Sequence, residues 1–172
     1  MNIRRLPIVG LVSLTLTAAV LAAAPAALAN IVIGQSIGGV KLGDSEAQVR
    51  QVVGAPSSTL DGSFLYPTSV GLRIGFGHGR VNDVLSFSKK QKTSKGITIG
   101  SKRAKLKRAY PQANCVEGPY GPRSLYCAVV VRLHGRKSFT SFLFGTATGG
   151  VEEIELGYGV GLAQELMKLH KS

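Results

Sequence analysis

Lys92–Tyr110, KTSKGITIGSKRAKLKRAY, decides how the chain is read. It places a short apolar run (Ile97, Ile99), a Gly100-Ser101 break and then an amphipathic segment ending before Pro111. That is the pattern of a strand or loop feeding a capped helix. Gln35–Val53, QSIGGVKLGDSEAQVRQVV, follows the same plan 57 positions earlier. Gly39, Gly43 and Ala47 fall on Gly96, Gly100 and Ala104, and Val40, Leu42 and Val49 fall on Ile97, Ile99 and Leu106. The shared pattern implies two copies of one module, of which the second has become basic.

In the first copy Asp44 is the expected N-cap, Glu46 adds negative charge to the first turn, and Gly54-Ala55-Pro56 stops the helix. Ser57–Leu60 and Ser63–Tyr66 flank Asp61-Gly62 as a hairpin, and Leu72, Ile74 and Phe76 alternate with Gly71, Arg73 and Gly75 as a half-buried strand. Gly77-His78-Gly79 turns the chain into a strand over 80–88. In the second copy Ser101 is the expected N-cap. Leu125–Leu133 is apolar on both faces and reads as a central strand. Residues 137–144 and 151–158 read as a last hairpin, and Leu162, Leu166 and Leu169 as a short C-terminal helix. The expected fold class is α+β: two repeats of a helix followed by three or four antiparallel strands, with the helices on one face of the sheet. The expected boundaries are a signal peptide at 1–29, a first repeat at 30–91 and a second at 92–172.

The signal peptide rests on Arg4 and Arg5, the apolar run Leu6–Ala24 and the small residues of Ala27-Leu28-Ala29, with cleavage between Ala29 and Asn30. The run is also long enough to serve as an uncleaved anchor. In an oxidising compartment Cys115 and Cys127 have one possible intramolecular pairing; a pair of buried free thiols is the competing reading.

The runs GGVKLGDSEAQVRQVVGAP and KTSKGITIGSKRAKLKRAYPQANC resemble units of small bacterial envelope proteins. Similar units occur in the SmpA/OmlA outer-membrane assembly lipoproteins and, in tandem, in secreted β-lactamase inhibitor proteins. The resemblance spans most of residues 35–158 and implies a helical layer on an antiparallel sheet and a role in binding other proteins. The lipid-modified Cys of the lipoproteins is absent, and the chain has no Trp, six Phe and five Tyr, unlike the inhibitors' aromatic-rich surface. Neither lipid tethering nor β-lactamase inhibition is therefore carried over, and no binding residue is either.

Catalytic and metal signatures are missing. His78, His134 and His170 lie far apart, and there is no HExxH, CxxC or GxSxG. Glu153 and Glu155 share one strand face, which reads as solvated more readily than as a catalytic pair. No cofactor and no metal are expected. Charge is the distinctive feature. Residues 30–172 carry 19 Lys or Arg against 9 Asp or Glu, and 73–137 hold fifteen of those cations against Asp83 and Glu117 alone. Lys89, Lys90, Lys92, Lys95, Lys102, Arg103, Lys105, Lys107 and Arg108 surround the second helix, where amides after Ser101 offer an additional place for an anion. The expected function is an exported, non-enzymatic binding module, secreted or in the cell envelope, whose basic surface meets an anionic envelope polymer or an acidic protein. The alternatives are an inhibitor or partner of an extracellular enzyme, and a hydrolase with an unrecognised site. Nucleic acid has no supporting motif as the natural partner, no mature transmembrane segment is expected, and nothing in the chain sets an oligomeric state.

Overall fold

The computed structural model describes residues 30–117 and 124–159. The expected signal peptide and its Ala29/Asn30 cut, the Gly118–Pro122 turn and the C-terminal helix fall wholly or partly outside them. The chain opens with β1 (Asn30–Val32), β2 (Ser36–Ile37) and β3 (Val40–Lys41), then α1 (Glu46–Val53). A meander follows: β4 (Ser58–Leu60), β5 (Ser63–Leu65), β6 (Leu72–Gly77) and β7 (Arg80–Ser86). Next come β8 (Lys92–Thr93), α2 (Arg103–Ala109) and a second meander, β9 (Asn114–Glu117), β10 (Leu125–Leu133), β11 (Arg136–Phe144) and β12 (Val151–Tyr158).

The meanders join edge to edge in one eight-stranded antiparallel sheet, β4-β5-β6-β7-β12-β11-β10-β9. A four-stranded sheet, β3-β2-β1-β8, includes a parallel β1–β8 pair. This corrects the α+β expectation. The described residues are about half strand and only 12% helix, in two helices and two sheets, so the fold is mostly β and is not a pair of helix-plus-strand repeats on one sheet face. The physical reason is length. The helical signals persist for only eight and seven residues, too few to form a layer, whereas alternation and tight turns govern most of the rest. The basic connection between β7 and α2 also contributes a strand, β8.

Three hairpins turn on two left-handed residues each, Asp61-Gly62, His78-Gly79 and His134-Gly135, with φ between 47° and 77°. That geometry matches the right-handed twist of the flanking strands. One face of the large sheet is the core: Ile74, Val84, Ile154, Leu156, Phe142 and Val129 pack with Val49 of α1 and Leu106 of α2. β10 is not central; it is second from the edge, beside β9. Its apolar character on both faces has another cause, because Ala128 and Val130 pack with Phe139 on the far side of the sheet. Cys115 and Cys127 sit opposite each other in the β9–β10 register and are disulfide-bonded, which removes the free-thiol reading. Among the described residues the edge strands are three residues in β4 and four in β9.

One set of hydrogen bonds builds the entry to both helices. Gly43 N–H donates to Val81 O (2.9 Å), and Val81 N–H to Asp44 O (2.8 Å). Likewise Gly100 N–H donates to Val151 O (2.6 Å), and Val151 N–H to Ser101 O (2.9 Å). Asp44 Oδ2 accepts from Lys41 N–H and Ser101 Oγ from Thr98 N–H. These side chains therefore close the turn before the helix, as short polar side chains readily do. The N-caps lie one residue later than expected, at Ser45 and Lys102. Ser45 forms a reciprocal capping box with Gln48, whereas Lys102 offers no side-chain cap.

Candidate functional site

All nine cations singled out around α2 are exposed, and among the described residues none is paired with a carboxylate. They divide into two groups. Four amines bind backbone carbonyls: Lys95 Nζ to Ala109 O (2.7 Å), Lys102 Nζ to Thr148 O (2.6 Å), Lys105 Nζ to Gly96 O (2.7 Å) and Lys107 Nζ to Ala113 O (2.8 Å). Lys95 also lies 5.0 Å over the Tyr110 ring. Lys95 and Lys107 thereby satisfy carbonyls at or just beyond the end of α2, where positive charge is favourable. These lysines hold structure together. Lys89, Lys90, Lys92, Arg103 and Arg108 make no such contact and are exposed on the connection before β8, on β8 and on α2. Lys95 and Lys105 strap residues 95–96 to α2, and Thr98 Oγ1 donates to Lys89 O (3.0 Å) and Gln91 O (2.6 Å). The anion site expected at the amides after Ser101 is not supported. α2 has seven residues, under two turns, and Ser101 is buried in the preceding turn.

The sheet face away from the core carries a second cluster. In register order Arg73 opposes Leu85, Leu85 opposes Glu155, and Glu155 opposes Ser141; one row over, Gly75, Asp83 and Gly157 align. Glu153 lies opposite Leu143. Alternation puts Arg73, Asp83, Glu153 and Glu155 on the same face, where they line a cavity of about 780 Å³ with Phe139 and Leu143. Glycine makes room for two of the side chains. A Cβ on Gly157 would come 2.8 Å from Phe139 Cζ, and one on Gly75 would overlap the Asp83 carboxylate.

Burial raises the carboxyl pKa of all three acids. Arg73 opposes that rise in each case. At Glu155, the hydrogen bond from Ser141 Oγ (3.2 Å) also lowers the pKa, while Glu153 and Asp83 raise it. The solvated strand face expected for Glu153 and Glu155 is therefore half-buried, with Asp83 and Arg73 as unexpected neighbours. Their sequence separation of about 70 residues hid the association, since it depends on the β7–β12 register.

The raised values fix the sign of a pH effect. Between the ordinary carboxylate range, about 4, and the raised folded values, the folded state holds more protons than the unfolded one. These groups thus favour folding increasingly as pH falls through that window, and the contribution is lost as pH rises. Glu155→Gln is expected to raise the urea midpoint at pH 7.5, with the advantage over the unmodified protein shrinking to nothing by about pH 4. An advantage independent of pH would show that ionisation of Glu155 is not its cause.

His78 and His134 occupy hairpin turns. Among the described residues no group of three His, Cys, Asp or Glu is arranged to hold a metal ion, and no helix is long and apolar enough to cross a membrane. No protein-family model matches the chain, and no curated protein matches it. Among solved structures, an extracellular protein containing an SCP domain from Bacillus anthracis is similar to 67% of this chain, at 13% identity and a TM-score of 0.48. The match spans 43% of that structure's chain.

Proposed function

We propose that the protein is an exported, non-enzymatic binding module that presents Lys89, Lys90, Lys92, Arg103 and Arg108 to an anionic partner. The observation that carries this reading is the set of five exposed cations that form no ion pair with a carboxylate, on segments strapped to each other by backbone-bound lysines. Holding like charges together without counter-ions raises the local potential and favours a polyanion at the surface. The disulfide supports an oxidising compartment outside the cytoplasm, and so do the signal-like first 29 residues and the resemblance to envelope-protein units. The partner class that fits is an acidic cell-envelope polymer or an acidic protein.

The test is to change all five free cations to Glu and measure binding to isolated envelope material at low and high salt. Binding is expected to be lost at low salt while the thermal melt stays close to that of the unmodified protein, because exposed charges contribute little to stability. Changing Lys95, Lys102, Lys105 and Lys107 to Gln is expected to lower the melt, since each leaves a carbonyl without its amine. Undiminished binding by the five-fold Glu variant overturns the proposal.

A further inference from the structure

The segment that leads from the end of β7 into β8 has two distinct sides. Ser86, Ser88, Gln91 and Thr93 are buried, whereas Phe87, Lys89, Lys90 and Lys92 are exposed. The inward side is fastened to the protein. Phe87 N–H donates to Gly71 O (2.9 Å), Lys90 N–H to Ser88 Oγ (3.3 Å), and Thr98 Oγ1 to Lys89 O and Gln91 O. A Cβ on Gly71 would lie 2.9 Å from Ser88 Cβ, so the segment sits close against the start of β6. The outward side is thereby held in place, and it consists of one aromatic ring and three amines. Among the described residues Phe87 is one of three large apolar side chains left exposed, at 49%, and Val32 is another, at 44%. β1 runs parallel to β8, with Asn30 opposite Lys92 and Ile31 opposite Thr93. Ile31 and Thr93 are buried, so alternation puts Val32 and Lys92 together on the outer face of the small sheet. Exposed apolar side chains therefore stand at both ends of the run that carries Lys89, Lys90 and Lys92.

We propose that this rim docks on the surface of an anionic phospholipid bilayer, with Phe87 and Val32 in the interfacial layer and Lys89, Lys90 and Lys92 among the headgroup phosphates. The proposal rests on the anion-binding reading of these three lysines and commits it to a membrane. A soluble polyanion satisfies the amines but leaves both apolar side chains in water. A bilayer takes up both kinds of group, because its acyl chains begin just beneath the charged headgroups. Chain geometry favours the same occupant. The apolar run Leu6–Ala24, read as a signal peptide or an anchor, stops six residues before Asn30. Six extended residues span about 20 Å. While that run is attached and held in a membrane, Asn30 and its ladder neighbour Lys92 stay near the bilayer surface.

The experiment uses residues 30–172, which contain every described strand and helix, and sediments them with sucrose-loaded vesicles. Vesicles of phosphatidylglycerol and phosphatidylcholine are compared with phosphatidylcholine alone and with soluble polyphosphate. Binding to the anionic vesicles is expected to fall about a hundredfold when Lys89, Lys90 and Lys92 become Gln, at about fivefold per lysine. Phe87→Ser is expected to weaken it about tenfold, through lost apolar burial, and to leave polyphosphate binding unchanged. Phe87→Trp adds a tryptophan to a chain that has none. Its emission is expected to shift to the blue on anionic vesicles and to be quenched by lipids brominated near the headgroup. Equal binding to neutral and anionic vesicles overturns the proposal, as does an unshifted emission from the Phe87→Trp protein. Vesicle binding by Phe87→Ser as tight as that of the unmodified protein overturns it too, while the anion-binding reading stands on the polyphosphate result. Salt-sensitive binding to lipid-free envelope material with none to vesicles overturns it and assigns the lysines to a polymer or an acidic protein. Undiminished binding of the Gln variant to both vesicles and polyphosphate sinks both readings.

Discussion

Replacing Phe142 with alanine is expected to lower the stability of the fold by about 3–5 kcal/mol. Phe142 is fully buried in β11, opposite Cys127 on one side and Ile154 on the other. Its ring stacks with that of Tyr110, just past α2, at a centroid distance of 6.5 Å. One side chain thus touches both neighbouring strands and the segment that seats the second helix. A hole there cannot close easily, because the β-ladder holds its walls apart. The loss is a large part of the 5–15 kcal/mol typical of a whole domain, so the variant's urea midpoint should drop steeply. Phe142→Leu, which refills most of the volume, should recover a substantial share. Equal losses for the two substitutions would mean that ring stacking, and not volume, dominates at this position.

Removing the disulfide comes next in size. The Cys115→Ser, Cys127→Ala pair should cost about 3 kcal/mol, the chain-entropy value for a loop of this length, read as a lower melting temperature than that of the oxidised protein. The chemistry of the substitution is chosen to fit the surroundings. Cys127 is fully buried among core residues, so alanine suits it, whereas half-buried Cys115 can tolerate a hydroxyl. The unmodified protein treated with reductant should shift by a similar amount. A shift confined to the double variant would point to lost packing at Cys127 and away from the crosslink.

What the sequence disclosed was local. Asp61-Gly62 reads as a hairpin because only a few residue types accept its backbone, and the structure has that hairpin. The alternation around Ile74 placed β6, and the two Cys left one pairing to make. The β-rich character is harder to read, because caps and Gly-Pro stops mark clearly where a helix begins and ends but not how little of the chain it occupies. Asp44 and Ser101 look like caps from their residue type alone, yet each bonds the backbone three residues back, which residue identity cannot distinguish. The cations around α2 were legible as a cluster. Their division into carbonyl-bound lysines and free side chains was not, since Thr148 is 46 positions from Lys102. Asp83 and Glu155 were invisible as a pair for the same reason: nothing in either strand states which partner it will lie beside.

The place of β9 at the border of the large sheet has a consequence for the segment behind it. Behind β9 lies Leu125–Val131, LYCAVVV, uncharged and rich in β-branched residues. Uncovered, such a segment is a template on which like chains can stack into insoluble fibrils. Four paired positions between β9 and β10 are described, and the bridge between Cys115 and Cys127 fastens that border covalently to the segment behind it.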